Sequence, residues 1–173
     1  WGLLDPTREV LDLGCGIGRI AERVAPLVAG VWGMDISAAM IAAAQRRCRA
    51  LSNVRFSVSG GIDLPMCPDA CVDLVLAIDT FPYVLEAGEG TAAALFREVR
   101  RVLRAGGDFV LVNYSYRGDA AADRGDVARL ARAADLDVLV TGEAAFTLWD
   151  GVAYRLARRG EARAARAGSR PRS

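Results

Sequence analysis

Residues 72–78, VDLVLAI, carry apolar side chains at every position except Asp73. Such a strand must be covered on both faces, and that requirement leads to a parallel sheet held between helices. Four more short runs resemble it: REVLDL (8–13), VWGMD (31–35), VRFSV (54–58) and DFVLVNY (108–114). Between them lie stripes at helical spacing. Ile20, Val24, Leu27 and Val28 make the first; Met40, Ile41, Ala44 and Cys48, behind Ser37 as a cap, make the second. Leu95, Phe96, Val99, Val102 and Leu103 make a third, which Gly106 and Gly107 are expected to stop; Val127, Leu130, Ala131 and Ala134 make a fourth. Strands alternating with helices imply crossover connections within one sheet. The rhythm breaks near the end, where FTLW (146–149) and VAYRL (152–156) flank Asp150-Gly151, a strong hairpin signal. The expected fold is α/β: a doubly wound, mostly parallel seven-stranded sheet with a C-terminal antiparallel hairpin and helices on both faces.

The chain has 173 residues, 53% of them hydrophobic, which suits one domain with a sizeable core. It begins at Trp1, carries no signal-peptide pattern, and has no apolar stretch near the roughly 20 residues that span a bilayer. A soluble, cytoplasmic protein with no membrane contact is the expectation. The net charge of +1 hides an asymmetry: residues 155–173 hold seven arginines and one glutamate, so the rest is net acidic. Residues 1–158 are read as the domain and 159–173 as a disordered Arg-rich tail, too poor in large apolar groups to fold alone. Nucleic-acid contact is the sharper reading of such a tail, but with no lysine anywhere in the chain the arginines carry less meaning.

Absent residue types narrow the chemistry. Without histidine there is no Ser-His or Cys-His pair and no histidine metal ligand; without lysine there is no Schiff base and no phosphate-loop lysine. Cys15, Cys48, Cys67 and Cys71 include no second pair at a zinc-like spacing, so no metal is expected.

The chemistry gathers at VLDLGCGIGRI (10–20), where a strand, a glycine turn and a helix make a nucleotide crevice at the carboxyl end of the sheet. Dinucleotide sites use G-x-G-x-x-G and seat a pyrophosphate on the helix. Here Gly14, Gly16 and Gly18 follow G-x-G-x-G, and Asp12 stands two residues ahead of them. A carboxylate and a phosphate at 4 Å repel by about 4 kcal/mol at an effective dielectric of ~20, and a cation is attracted by as much. The turn therefore suits a positively charged nucleoside such as S-adenosylmethionine. Asp35, 21 residues after Gly14 at the tip of the second strand, can accept two ribose hydroxyls. Taken singly, each acid can equally be a loop or helix cap.

VLDLGCGIGR, VWGMDIS, DLPMCPDACVDLVLAID and LFREVRRVLRAGGDFVLVNYS together resemble the class I S-adenosylmethionine-dependent methyltransferases over residues 8–158. The resemblance implies a Rossmann-like fold with a reversed last strand, S-adenosylmethionine as cofactor and S-adenosylhomocysteine as product. It implies that Asp12, Gly14, Cys15 and Gly16 hold the methionine end, with the Cys15 backbone facing the ligand. Asp35 would bind the ribose, Ile36 would pack on the adenine, Gly61 and Ile62 would border the adenine edge, and Ile78 and Asp79 would close over the methionine end and face the acceptor.

Two departures stand out. Gly61 occupies the place of a family acid in the adenine loop, leaving that contact absent or supplied by Asp63. Only residues 1–7 precede the first motif here, and the expectation is a missing or short form of the helical lid that small-molecule relatives carry. In-line methyl transfer rests largely on alignment and needs a base only where the acceptor must lose a proton. Asp79 and Tyr83 are the catalytic candidates, with Glu86, Tyr114 and Tyr116 as further groups able to take a proton. Phe81, Tyr83, Tyr114 and Tyr116 are the candidate substrate contacts on the loop and strand end beside the crevice. The reading is methyl transfer to a small-molecule acceptor. The alternatives are a module that binds the cofactor without catalysis and a nicotinamide-dependent oxidoreductase.

Overall fold

The computed structural model describes residues 1–147 and 151–159, the Glu89 side chain excepted. In chain order the elements are β1 (Glu9–Leu13), α1 (Arg19–Val24), β2 (Gly30–Asp35), α2 (Ala38–Arg47), β3 (Val54–Val58), β4 (Val72–Ile78), α3 (Phe81–Glu86), α4 (Glu89–Val102), β5 (Leu103–Val112), α5 (Ala120–Ala133), β6 (Leu136–Ala144) and β7 (Val152–Arg158). They form one seven-stranded sheet of order β3-β2-β1-β4-β5-β7-β6. All neighbouring pairs are parallel except those made by β7, which runs antiparallel to both β5 and β6. The order reverses between β1 and β4, so the crevice outside their carboxyl ends is the topological switch point where such sheets bind ligands.

Period-two alternation along the strands builds a core on each face. Leu11, Met34, Val75, Phe109, Leu111 and Leu156 point toward Phe96 and Val99 of α4 and Val127 and Leu130 of α5. Val10, Val31, Leu74, Leu76 and Val110 point the other way, against Ala21 and Val24 of α1 and against Leu3. VDLVLAI is thus covered on both sides, as its composition requires.

Three local readings are corrected. The sixth strand is not FTLW: it is LDVLVTGEA (136–144), and Phe146 and Thr147 lie beyond it, while residues 148–150, including the Asp150 of the sequence signal, lie outside the described residues. The hairpin itself forms, with Leu136 opposite Arg158 and Ala144 opposite Val152. Its irregular register between Val140 and Glu143, with Gly142 at φ 68°, blurs the alternation that would have marked β6. Second, α4 ends at Val102, ahead of the glycine pair, and β5 starts at once at Leu103, so Gly106 and Gly107 sit inside a strand irregularity. Third, residues 81–86 form the short helix α3 where a loop was expected, begun by Pro82 in its first turn. The expected tail beyond residue 159 lies outside the described residues; Arg159 itself is ion-paired with Asp137 at 2.9 Å.

Candidate active site

Between β1 and α1 the chain passes through Gly14–Gly18, and this turn is tied inward. The Gly14 and Cys15 N–H groups both donate to the Met34 carbonyl at 2.8 and 2.9 Å, and the Gly18 N–H donates to the Cys15 carbonyl at 2.9 Å. The Gly16 N–H donates to Asp35 Oδ2 at 2.9 Å, and the Ser37 N–H donates to Asp35 Oδ1 at 2.9 Å. A phosphate-binding loop aims free amides at its ligand; here these four turn amides are already satisfied by carbonyls and a carboxylate. The Cys15 N–H and C=O are engaged by Met34 and Gly18, and its thiol is buried, so the thiol takes no part in the open crevice.

The glycines differ in what they allow. A Cβ on Gly14 (φ 72°) would lie 2.3 Å from Thr80 Oγ1, so the turn packs there against the start of α3. A Cβ on Gly16 (φ 53°) would meet nothing within 4 Å, leaving bare backbone facing open space beside Asp35.

Asp12 lies on β1 opposite Gly33 and Leu76 and is 2% exposed. Its Oδ2 has no hydrogen-bond partner. Burial pushes its carboxyl up to about 7; the Ala21 amide of α1 opposes the rise and the Asp35 charge adds to it. No ion pair is made by Asp12 or Asp35 among the described residues. The crevice therefore holds two carboxylates, one with an orphaned oxygen, and no counter-cation.

On the β2–β3 side, Ile36 is 71% exposed, and a Cβ on Gly61 (φ 90°) would come within 3.0 Å of its Cγ2, so these two residues lie side by side. Ile62 stands half exposed beside them. Asp63 folds back over Gly60, whose Cβ position lies 2.9 Å from Asp63 Oδ1.

On the β4–β5 side, Ile78 is half buried and Asp79 adopts φ 55° just beyond the strand. Asp79 Oδ1 accepts from Asn113 Nδ2 at 2.7 Å and from the Tyr116 hydroxyl at 3.0 Å. Asn113 Oδ1 in turn accepts from the Val152 N–H at 2.9 Å, which ties Asp79 to the ends of β5 and β7. Burial, followed by the hydrogen bond to Asp79, pushes the Tyr116 phenol up to about 12. Tyr83 and Tyr116 are 65% and 63% exposed, and Glu86 is exposed at the end of α3.

One candidate substrate contact is corrected. Phe81 is fully buried, its ring in an aromatic cluster with Phe96, Phe109 and Tyr114 at centroid distances of 5.4, 6.0 and 6.1 Å. Tyr114 is buried in the same cluster but lines a cavity beside α3, and burial pushes its phenol up to about 12, so it is not a ready base. Asn113 was missed from sequence; its signal was an asparagine at a strand end, the non-glycine type that most readily takes positive φ, here 57°.

The profile of a family described as a methyltransferase domain matches residues 10–107. The chain belongs to the class I S-adenosylmethionine-dependent methyltransferases. It is 33% identical over 108 residues to a demethylmenaquinone methyltransferase of Tropheryma whipplei (strain Twist), covering 62% of this chain and 42% of that protein. It is 29% identical over 127 residues to a 2-methyl-6-phytyl-1,4-hydroquinone methyltransferase of a Synechocystis species, covering 69% of this chain and 37% of that one. The chain thus spans less than half the length of these curated relatives. The fold is shared with a Methanosarcina mazei protein described as a SAM-dependent methyltransferase, at a TM-score of 0.72, 18% identity, and coverage of 92% and 96%.

The crevice fits the family's cofactor on its own observations. The orphaned oxygen of Asp12 suits a cationic end, each Asp35 oxygen keeps a lone pair for a hydroxyl, and bare Gly16 leaves room for a ligand against the backbone. Among the described residues no cluster could hold a metal ion, and no helix is long and apolar enough to cross a membrane.

Proposed function

We propose that this methyltransferase-family chain moves the methyl group of S-adenosylmethionine to a small-molecule acceptor in the cytoplasm. The observation that carries the reading is the Gly16–Asp35 hydrogen bond in a turn where the Gly14, Cys15, Gly16 and Gly18 amides are spent and two carboxylates have no cation among the described residues. In that setting Asp12 and the Gly14–Gly16 turn hold the cationic methionine end. Asp35 keeps one lone pair on each oxygen for the ribose hydroxyls, and Ile36, Gly61 and Ile62 offer an apolar slot to the adenine. Bound S-adenosylmethionine supplies an electrophilic methyl group on a sulfonium. The chain's contribution is alignment, through the crevice on one side and the Asp79 region on the other.

Calorimetric titration is expected to show binding of S-adenosylhomocysteine and none of NADH, because the glycine amides of the turn are spent and the two carboxylates beside it repel a pyrophosphate; the reverse would return the chain to the nicotinamide enzymes. Replacing Asp35 with alanine is expected to weaken S-adenosylhomocysteine binding by about 1–3 kcal/mol, through lost ribose hydrogen bonds and a loosened Gly16. An unchanged dissociation constant would place the ribose elsewhere. Methyl transfer from labelled cofactor then separates an enzyme from a module that only binds. A second reading of the acceptor, an aromatic hydroquinone, is favoured by the names of the two curated relatives.

A further inference from the structure

The acceptor side of the crevice has a charge pattern of its own. Asp79 Oδ1 is saturated by Asn113 and Tyr116, while Oδ2 has no hydrogen-bond partner and the carboxylate makes no ion pair among the described residues. Tyr83 and Tyr116 are the two most exposed tyrosines; the Tyr116 hydroxyl reaches this carboxylate, and Tyr83 lies close enough to Tyr116 to act on its phenol. Beyond Tyr116 opens a cavity of about 610 Å³ whose walls include Pro82, Leu85, Glu86 and Tyr116. The guanidiniums at its far wall are engaged: Arg117 binds Asp123 at 2.7 Å and Asp126 at 2.8 Å, and Arg129 binds Asp126 at 3.1 Å. An anionic acceptor therefore meets no open cation here. A carboxylate with one free oxygen, two exposed tyrosines and the further charge of Glu86 make the surroundings that stabilise an ammonium.

Resting on the proposed methyl transfer, we propose that the acceptor is a primary or secondary amine, held as its ammonium by Asp79 Oδ2 between Tyr83 and Tyr116, with its apolar body in the cavity beside α3. Asn113 is the positioning residue that fixes the carboxylate. The ammonium N–H bond breaks and the proton passes to Asp79 Oδ2. The freed nitrogen lone pair forms the new N–C bond as the S–C bond breaks, and that bond's electron pair stays on sulfur, leaving a neutral thioether and a methylated ammonium. Asp79 afterwards returns its proton to solvent. A hydroxyl or a neutral carbon acceptor lacks the charge that this site complements.

The test pairs two probes of matched shape, benzylamine and benzyl alcohol, in calorimetric titrations of the S-adenosylhomocysteine-loaded chain. Benzylamine is expected to bind at least tenfold more tightly than the alcohol at neutral pH. Asp79→Asn, which suits the positive φ, is expected to erase that preference, and Tyr83→Leu and Tyr116→Leu each to reduce it about threefold. With labelled S-adenosylmethionine, label is expected on benzylamine and not on methylhydroquinone. Equal binding of the two probes, or label on the hydroquinone alone, by a chain that binds S-adenosylhomocysteine overturns the amine assignment and leaves the methyl-transfer reading standing. Failure to bind S-adenosylhomocysteine at all overturns both.

Discussion

Gly14→Ala is expected to lower the unfolding free energy by about 3–5 kcal/mol, a large part of the ~5–15 kcal/mol that holds such a domain together. The residue sits at φ 72°, where an added Cβ costs about 1–2 kcal/mol by itself. That Cβ would also lie 2.3 Å from Thr80 Oγ1 and 2.6 Å from Thr80 Cγ2. Thr80 cannot yield freely, because its hydroxyl donates to the Leu13 carbonyl at 2.8 Å. Moving it loses that bond, worth about 0.5–1.5 kcal/mol, and adds about 1–3 kcal/mol of overpacking. Denaturant unfolding of Gly14→Ala, Thr80→Ala and the double variant checks the cause. Thr80→Ala removes both close atoms, so the pair should couple by about 1–2 kcal/mol in favour of the double variant. Strict additivity would mean that the turn is not held by this contact. Gly16→Ala is the control: with open space around its Cβ it should cost only the backbone term, about 1–2 kcal/mol, yet weaken cofactor binding more than stability, because the methyl enters the crevice.

That contrast also marks how far the sequence could be read. Three glycines behind an apolar run announced the turn, and the spacing to Asp35 announced its partner, because backbone freedom and a strand-tip acid are both written in residue type. Which glycine packs and which stays open depends on Thr80, 66 positions from Gly14, and no local pattern carries that. Aromatic residues near the crevice were legible as aromatic but not as inward or outward. Phe81 and Tyr83 lie two apart on a short helix; one is fully buried against Phe96 and the other is 65% exposed. The hairpin came through Asp150-Gly151, whereas β6 did not. An edge strand with a register break has neither the clean alternation nor the apolar run that identified β4. Asn113 stayed hidden because its role lies in linking Asp79 to Val152, three strand ends that meet only in the folded sheet.

Asp12→Asn is expected to make the chain more stable above neutral pH while weakening its hold on a cationic ligand. Burial raises the folded carboxyl from 3.8 to about 7, with the Ala21 amide opposing and the Asp35 charge reinforcing the rise. Between those two values the folded chain keeps a proton that the unfolded chain has released. Fewer protons on the unfolded state mean that stability falls as pH rises through this window, by about 4 kcal/mol in all at ~1.4 kcal/mol per unit. Below the window the group contributes nothing to the slope, and above it the full penalty of a buried, half-partnered carboxylate is present. Asparagine has no such titration, so the difference between the two unfolding curves, measured from pH 4 to pH 8.5, should open across the window and then stay constant. Other groups titrate alike in both chains and cancel in that difference. A ligand with a positive end reverses the balance, since it supplies the counter-charge that Oδ2 lacks. S-adenosylmethionine affinity should therefore climb with pH toward about 7 in the parent and stay flat in Asp12→Asn. Parallel unfolding curves would show that Asp12 is ionised without cost in the empty crevice. The negative charge invoked for cofactor selection would then already be compensated within the protein.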